Sequence, residues 1–358
     1  QNKAEANEFR LFNSFFMNNE FEIYEIKPNE TLSQIAKRFE MSSEELQAFH
    51  NLHYKKAGLM WFSNFVGINK ILVPTNYKSK AERKKEHQQN FPPKEFFKEF
   101  YEKKYTVKET FENDLNEILE INYQIELQIS DENEETIVQI RNKNFTKNKN
   151  TVDDKISSIT IACMDAVSPI GFMMDEKGNL KKLAHPEIYS KRFLEKRKEI
   201  EEDFIGEVTT VFFDKFQKMW ENPDVVFEKF QSQLLYQLLF PSMNWFHKSD
   251  EWQDKKNLAP NSFPVKMNFN ATYEHEETEF ATTKITGTIA EEISIQDILR
   301  GIKLDKILDN SSEAFAYFNY FTDKKTKILN SADAKIILTF EDKSILSHSI
   351  SITAMRKK

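Results

Sequence analysis

Between Leu119 and Ile129 the chain alternates without a fault. Leu119, Ile121, Tyr123, Ile125, Leu127 and Ile129 are apolar, and Glu120, Asn122, Gln124, Glu126 and Gln128 between them are polar. Successive side chains of a strand point to opposite faces, so this run predicts a long, half-solvated strand of an antiparallel sheet. The pattern returns in Phe263, Val265, Met267, Phe269, Ala271 and Tyr273. Further strands are predicted over 136–145, 156–165, 171–174, 180–183, 278–289, 314–321, 328–341 and 345–354. Turns separate them at Ser130–Asn133, at Asp175–Asn179, where Gly178 suits a positive φ, and at Asp323–Lys325.

Between these two sets of strands the period changes to helical. Residues 186–240 read as three helices broken near Gly206 and at Asn222-Pro223, and residues 243–258 read as irregular. Earlier in the chain, residues 77–105 carry nine Lys/Arg against five Asp/Glu around Pro92-Pro93. They read as a charged linker followed by a helix, in which Phe96, Phe97, Phe100, Tyr101 and Tyr105 recur near helical spacing. Acidic residues interleave the lysines, which argues against a basic nucleic-acid tail.

Residues 20–76 are organised differently. Tyr24 and Ile26 alternate in a short strand, and Lys27-Pro28-Asn29-Glu30 stops it. Thr31 stands three residues before Gln34, and Ser42 three before Glu45, so each pair has capping-box spacing. Leu32, Ile35, Ala36 and Phe39 give the first helix one apolar face, and Leu46 and Phe49 do so for the second. Ile71 and Val73 alternate in a closing strand that Pro74 ends. The order is strand, helix, helix, strand.

This segment resembles a LysM domain, the small module that binds N-acetylglucosamine polymers such as peptidoglycan and chitin. The resemblance rests on Tyr24 and Ile26, Lys27-Pro28 before Thr31-Leu32, Ile35-Ala36, Asn51-Leu52, and Ile71, Val73 and Pro74. Asn29-Glu30 stands where the family usually has Gly-Asp, and Lys55–Gly67 is longer and more aromatic than the family's loop. The resemblance implies a βααβ fold and a glycan site between the loop after the first strand and the loop before the last. Carried over, that site is Asn29, Glu30, Thr31, Leu32, Asn51, Ile68 and Asn69. In the long loop, Met60, Trp61, Phe62 and Phe65 read either as packing or as an exposed partner-binding anchor. Beyond the module, Pro169–Leu183 and Phe204-Ile205-Gly206-Glu207-Val208 resemble C-terminal regions of LysM proteins from Bacteroidetes-type bacteria. That resemblance brings no activity with it.

The fold class is therefore α+β. An extension at 1–19 precedes the βααβ LysM-like module at 20–76 and the linker and helix at 77–105. A large antiparallel-sheet domain follows at 106–358, an open barrel or two stacked sheets with the helical insertion 186–240 over one side. With 358 residues, two or three domains are expected. The net charge of −7 gives no support for nucleic-acid binding. No apolar run approaches the roughly 18 residues of a membrane span. Cys163 is the one cysteine, which leaves no intramolecular disulfide. It reads as a buried residue of an apolar strand rather than a reactive thiol. The displayed chain opens on Gln1 without signal-peptide organisation, and Met17 would make a natural start. The expectation is a cytoplasmic protein, with a periplasmic or secreted one after signal removal as the alternative.

Chemistry-bearing motifs are sparse. His50 and His53 have i, i+3 spacing, but no Cys or carboxylate pattern completes a metal set. His275 sits among acids in a charged turn, and Glu201-Glu202-Asp203 and Glu291-Glu292 read as surface acids. No GxSxG, P-loop or dinucleotide fingerprint occurs, and seven glycines leave little for a phosphate cradle. The sequence predicts a protein that is not an enzyme and uses no cofactor and no metal. Two readings remain open. One is a peptidoglycan or related glycan binder whose large domain holds a protein partner. The other is an intracellular adaptor or structural part of a phage-tail-like or type VI secretion apparatus, with the LysM module as a docking piece.

Overall fold

The computed structural model describes residues 21–53, 65, 68–75, 78, 80–115, 117–276, 278–302, 312–340 and 343–355. The chain divides into two compact units, one ending at Gln89 and the other beginning at Asn90.

In the first unit, β1 (Phe21–Glu25) pairs antiparallel with β2 (Lys70–Pro74), from Phe21 opposite Pro74 to Glu25 opposite Lys70. Among the described residues two helices lie between them, α1 (Leu32–Arg38) and α2 (Ser43–His53). Both capping boxes form. Thr31 Oγ1 accepts from the Gln34 amide at 3.3 Å and the Gln34 side chain accepts from the Thr31 amide at 2.9 Å. Ser42 and Glu45 exchange the same two bonds, each at 3.1 Å. Leu32, Ile35, Ala36, Met41, Leu46, Ile71 and Val73 make the core. His50 is buried within the module, where its Nδ1 accepts from the Leu72 amide at 3.0 Å. The imidazole thus ties α2 to β2. A further helix, α3 (Lys80–Asn90), closes the unit and runs one residue past its last residue, Gln89.

The second unit is built on one antiparallel sheet. Its first strands are β3 (Lys104–Asn113), β4 (Ile118–Glu132), β5 (Glu135–Lys147) and the two-residue β6 (Asn150–Thr151). Helix α4 (Lys155–Val167) leads to β7 (Ile170–Met174) and β8 (Leu180–Leu183). Four helices follow: α5 (Glu187–Asp203), α6 (Glu207–Met219), α7 (Pro223–Gln231) and α8 (Leu234–Leu239). The chain then makes β9 (Trp252–Asn257), β10 (Pro264–Glu274), β11 (Phe280–Ile289), α9 (Ile295–Arg300), β12 (Ser312–Asp323), β13 (Leu329–Phe340) and β14 (Lys343–Ala354).

Strand order is β8-β7-β5-β4-β3-β14-β13-β12-β11-β10-β9, with β6 on β5. The last strand thus pairs with the first, Ala354 opposite Tyr105, and welds the two strand sets into one sheet that stays open. Its edges, β8 and β9, are neighbours in the sequence apart from the helical block. On the inner face Ile125 and Leu127 are buried, while Glu126 turns outward between Lys104 and Lys143 at 2.7 Å each.

Several expectations are corrected. The two-stacked-sheet alternative gives way to the single open sheet. Residues 156–165 are helix, not strand. Asp154 caps α4 by accepting from the Ser157 amide at 2.9 Å, and Ile159, Cys163 and Val167 fall four apart on its buried side. Cys163 is therefore a helix-core residue, and burial pushes its thiol up to about 12. The helical block has a further break at Ser232-Gln233, so four helices replace three. In place of an irregular 243–258, a 3-10 turn at Met243–His247 precedes the edge strand β9. The aromatic helix expected before residue 106 is a 3-10 turn, Lys98–Phe100, and β3 starts at Lys104. Helices also cover both faces of β7 rather than one. Phe172 packs on Phe230 and Tyr236, while the preceding residue, Gly171, lies against Ala184 and Tyr189 on the opposite face.

Candidate functional site

The end of the module nearest Glu25 and Lys70 is where two loops meet. The Ile26 amide donates to the Asn69 carbonyl at 3.0 Å, which holds the loop before β2 against the turn after β1. That turn closes with the Glu30 amide donating to Lys27 O at 3.1 Å, and Asn29 takes a φ of 66°. Asparagine tolerates this left-handed conformation better than most residues. Asn29, Thr31 and Asn69 are exposed here, Ile68 is half-buried, and Lys27 and Pro28 flank them.

Not every predicted contact is available to a ligand. Leu32 is a core residue. The Thr31 hydroxyl accepts the capping bond. Glu30 is engaged inside the module: Tyr24 Oη donates to it at 2.9 Å, Arg38 Nη2 at 2.7 Å and the Lys27 amide at 3.1 Å. Arg38 also donates to Tyr24 Oη. Burial pushes the Glu30 carboxyl up, but the Lys27 amide, the Tyr24 hydroxyl and Arg38 together hold it below its ordinary value. Burial and the carboxylate beside it push the Tyr24 phenol up. Glu30 thus reads as a clamp on the turn, a role sequence reasoning missed. Its signal is Arg38, placed where α1 returns over the turn, together with the hydroxyl of Tyr24, whose place in the strand's alternation reflects only its ring.

Asn51 stands apart. Helix α2 passes Leu72 at His50, and His53 reaches the Phe21 ring at 5.8 Å between centroids. Asn51 therefore lies towards the Phe21–Pro74 end of the ribbon, away from the turn. Of the candidate anchor, Met60, Trp61 and Phe62 lie outside the described residues. Phe65 is half-buried against the module's core. The described residues of the two loops present two exposed asparagines and backbone edges beside the turn, suited to hydroxyl and amide groups of a ligand.

The family model of the LysM domain matches residues 24–53. The N-terminal module is a LysM domain. The match covers the turn, both capping boxes and α2, the parts whose geometry is described above. No curated protein matches the chain. Among solved structures, one described as lipid–protein interactions in lipovitellin is similar at 10% identity and a TM-score of 0.37. It covers 72% of this chain and 26% of its own. The chain thus spans about a quarter of that lipovitellin chain. A LolA superfamily protein from Nitrosomonas europaea is similar at 10% identity and a TM-score of 0.21, over 77% of this chain and 92% of its own. Among the described residues no group of three or more His, Cys, Asp or Glu side chains is placed to hold a metal ion. No helix among them is long and apolar enough to cross a membrane.

Proposed function

We propose that the protein is a non-enzymatic binding protein whose LysM domain takes an N-acetylglucosamine polymer of the peptidoglycan type, while the sheet domain serves a protein partner. The observation that carries the glycan half is the Ile26–Asn69 junction, which holds the described parts of the two loops of the LysM ligand region together with Asn29 and Asn69 exposed. Backbone and amide groups at such a rim match the acetamido and hydroxyl groups of an amino sugar, whose recognition runs on many modest hydrogen bonds. Co-sedimentation of the full chain with insoluble peptidoglycan and with chitin tests it. The chain is expected to pellet with peptidoglycan. Asn29→Ala and Asn69→Ala should each weaken binding about two- to tenfold, the worth of one such bond. Glu44→Ala, on the exposed side of α2, should leave it unchanged. A chain that stays in the supernatant with both polymers overturns the glycan reading and favours the second one, in which the module docks a protein in an adaptor or secretion apparatus. The internal engagement of Glu30 is what favours that alternative, since it removes a polar side chain from the rim.

A further inference from the structure

On the outer face of the sheet, charge gives way at one place to neutral polar groups. Strand register sets the side chains of β14, β3 and β4 in ranks across that face. Thr353 stands opposite Thr106, and Thr106 opposite Gln124. In the next rank Ser351 stands opposite Lys108, and Lys108 opposite Asn122. An ion pair closes each end. Lys104 holds Glu126 at 2.7 Å beyond the Gln124 rank, and Lys108 holds Glu120 at 2.7 Å beyond the Asn122 rank.

Over these two ranks lies a cavity of about 380 Å³ that opens to solvent. Its wall is completed by Asn144 of β5, which a bulge puts there. Asn122 opposes Thr146 and Gln124 opposes Lys143, so two residues of β5 stand against one of β4, and Asn144 takes a φ of 58°. Such bulges bend a strand and re-aim a side chain. Asn144 Nδ2 donates to Gln124 Oε1 at 3.0 Å on the outer face, while Phe145 stays inside against the Tyr123 ring. Val107 and Tyr123 also border the cavity, but their side chains belong to the core. They offer it backbone edges and no ring.

The hydrogen-bonding capacity left in this wall is mixed. Gln124 Oε1 is taken by Asn144, which leaves Gln124 Nε2 to donate. Asn122 Nδ2 donates to Glu120 at 3.0 Å, which leaves Asn122 Oδ1 to accept. Asn144 Oδ1 and the hydroxyls of Ser351 and Thr353 have no partner among the described residues. These groups are open to solvent rather than sealed in the core.

We propose that this cavity binds a neutral saccharide of one or two rings. A sugar hydroxyl donates and accepts at once, so it meets the free donor and the free acceptors together. An anion would find the cation of the wall, Lys108, already paired to Glu120. An apolar ligand would find no apolar side chain to cover. The volume lies at the lower end of the roughly 300–1,000 Å³ usual for small-molecule sites, which sets the ligand's size. The site is independent of the LysM one, since it lies in the other unit and shares no residue with it.

Chemical-shift titration of the full chain with N,N′-diacetylchitobiose and with cellobiose tests this. The backbone amides of Val107, Gln124 and Thr353 are expected to shift saturably with at least one of the two sugars, and not with glycerol or inorganic phosphate. Ser351→Ala and Thr353→Val each remove one hydroxyl from the wall and should weaken binding about two- to tenfold, the worth of one hydrogen bond. Thr110→Val, one rank beyond the wall on the same face, should leave it unchanged. The shifts in the unaltered chain stand even if a variant fails to fold. No saturable shift at these amides, equal shifts with glycerol or phosphate, or folded Ser351→Ala and Thr353→Val chains that bind as the unaltered one does would each overturn the site. Shifts confined to the LysM turn would overturn it too, while leaving the glycan reading of the module in place.

Discussion

The LysM module and the sheet domain bury their cores at different ranges along the chain. In the module, every cap closes within three residues and the core is complete inside 55 residues. In the sheet domain, Tyr105 waits for Ala354, and the two edges are joined only through four helices. Local chemistry therefore specifies the module, whereas the sheet depends on register between distant strands. A one-residue slip there would turn every inner side chain outward. The difference teaches where each unit is vulnerable: caps and the turn clamp in one, face and close packing in the other.

The largest effect should come from reversing the face of one sheet residue. Leu127 is 7% exposed on the inner side of β4, next to the outward Glu126. Leu127→Asp removes apolar burial and brings an unpaired carboxylate into the core, at a cost of about 4–5 kcal/mol by urea denaturation. Glu126→Lys should cost far less. Equal losses would break the claim that face, rather than position in the strand, controls this unit. Next in size is Gly287. A Cβ there would come within 2.3 Å of the Phe269 ring, its register partner on β10. The ring is held between that glycine and Trp252, its partner on β9, at 5.7 Å and 25°. Gly287→Ala is expected to cost about 1–3 kcal/mol, the usual range for overpacking. Native-state hydrogen exchange should report the loss in β10 and β11, with the module's amides unchanged.

Thr31→Ala is the corresponding test for the module. It removes a cap and leaves every core residue in place, so about 1 kcal/mol should be lost. Exchange should quicken in α1 and β1 and not in the sheet. If the sheet strands respond equally, the separation of local from long-range control fails.

The same contrast explains what could be read without coordinates. Thr31, Gln34, Ser42 and Glu45 announce their helices because cap and partner lie in one short window. The strands β4 and β10 are legible because their alternation is strict. Helix α4 was misread because Ile156, Ile159, Thr160 and Ile161 are β-branched and suggest a strand. The Asp154 cap and the four-residue spacing of Ile159, Cys163 and Val167 decide otherwise. Strand β9, Trp-Gln-Asp-Lys-Lys-Asn, has almost no apolar alternation, because an edge strand with charged side chains is built to be polar. Strand order was not legible at all, since nothing in β3 or β14 names the other as partner. For the site, the sequence located the two loops but not the duty of each residue. The partners that engage Glu30 lie on other elements, Tyr24 on β1 and Arg38 eight residues away on α1, so its sequence neighbourhood alone suggests a ligand group.

The smallest effect concerns the outer face of the sheet, and its sign follows from one carboxylate. Glu126 accepts from Lys104 and Lys143, and these hold its carboxyl down at about 2. In the unfolded chain a glutamate titrates near about 4.3. Between these values the unfolded state binds more protons, so stability rises with pH there. The contribution is fully present above the unfolded value and disappears as pH falls through the folded one. Because the side chain is 30% exposed, water and salt screen the pairs, and such bridges are worth about 1 kcal/mol or less. Glu126→Gln keeps the shape and removes the charge. Its stability difference from the unaltered chain should be measurable at pH 7, smaller at pH 3.5 and gone near pH 2, and should shrink with added salt. A difference that persists at pH 2 would mean Glu126 acts through packing rather than charge. The outer face of the sheet would then share the sensitivity reserved above for the inner one.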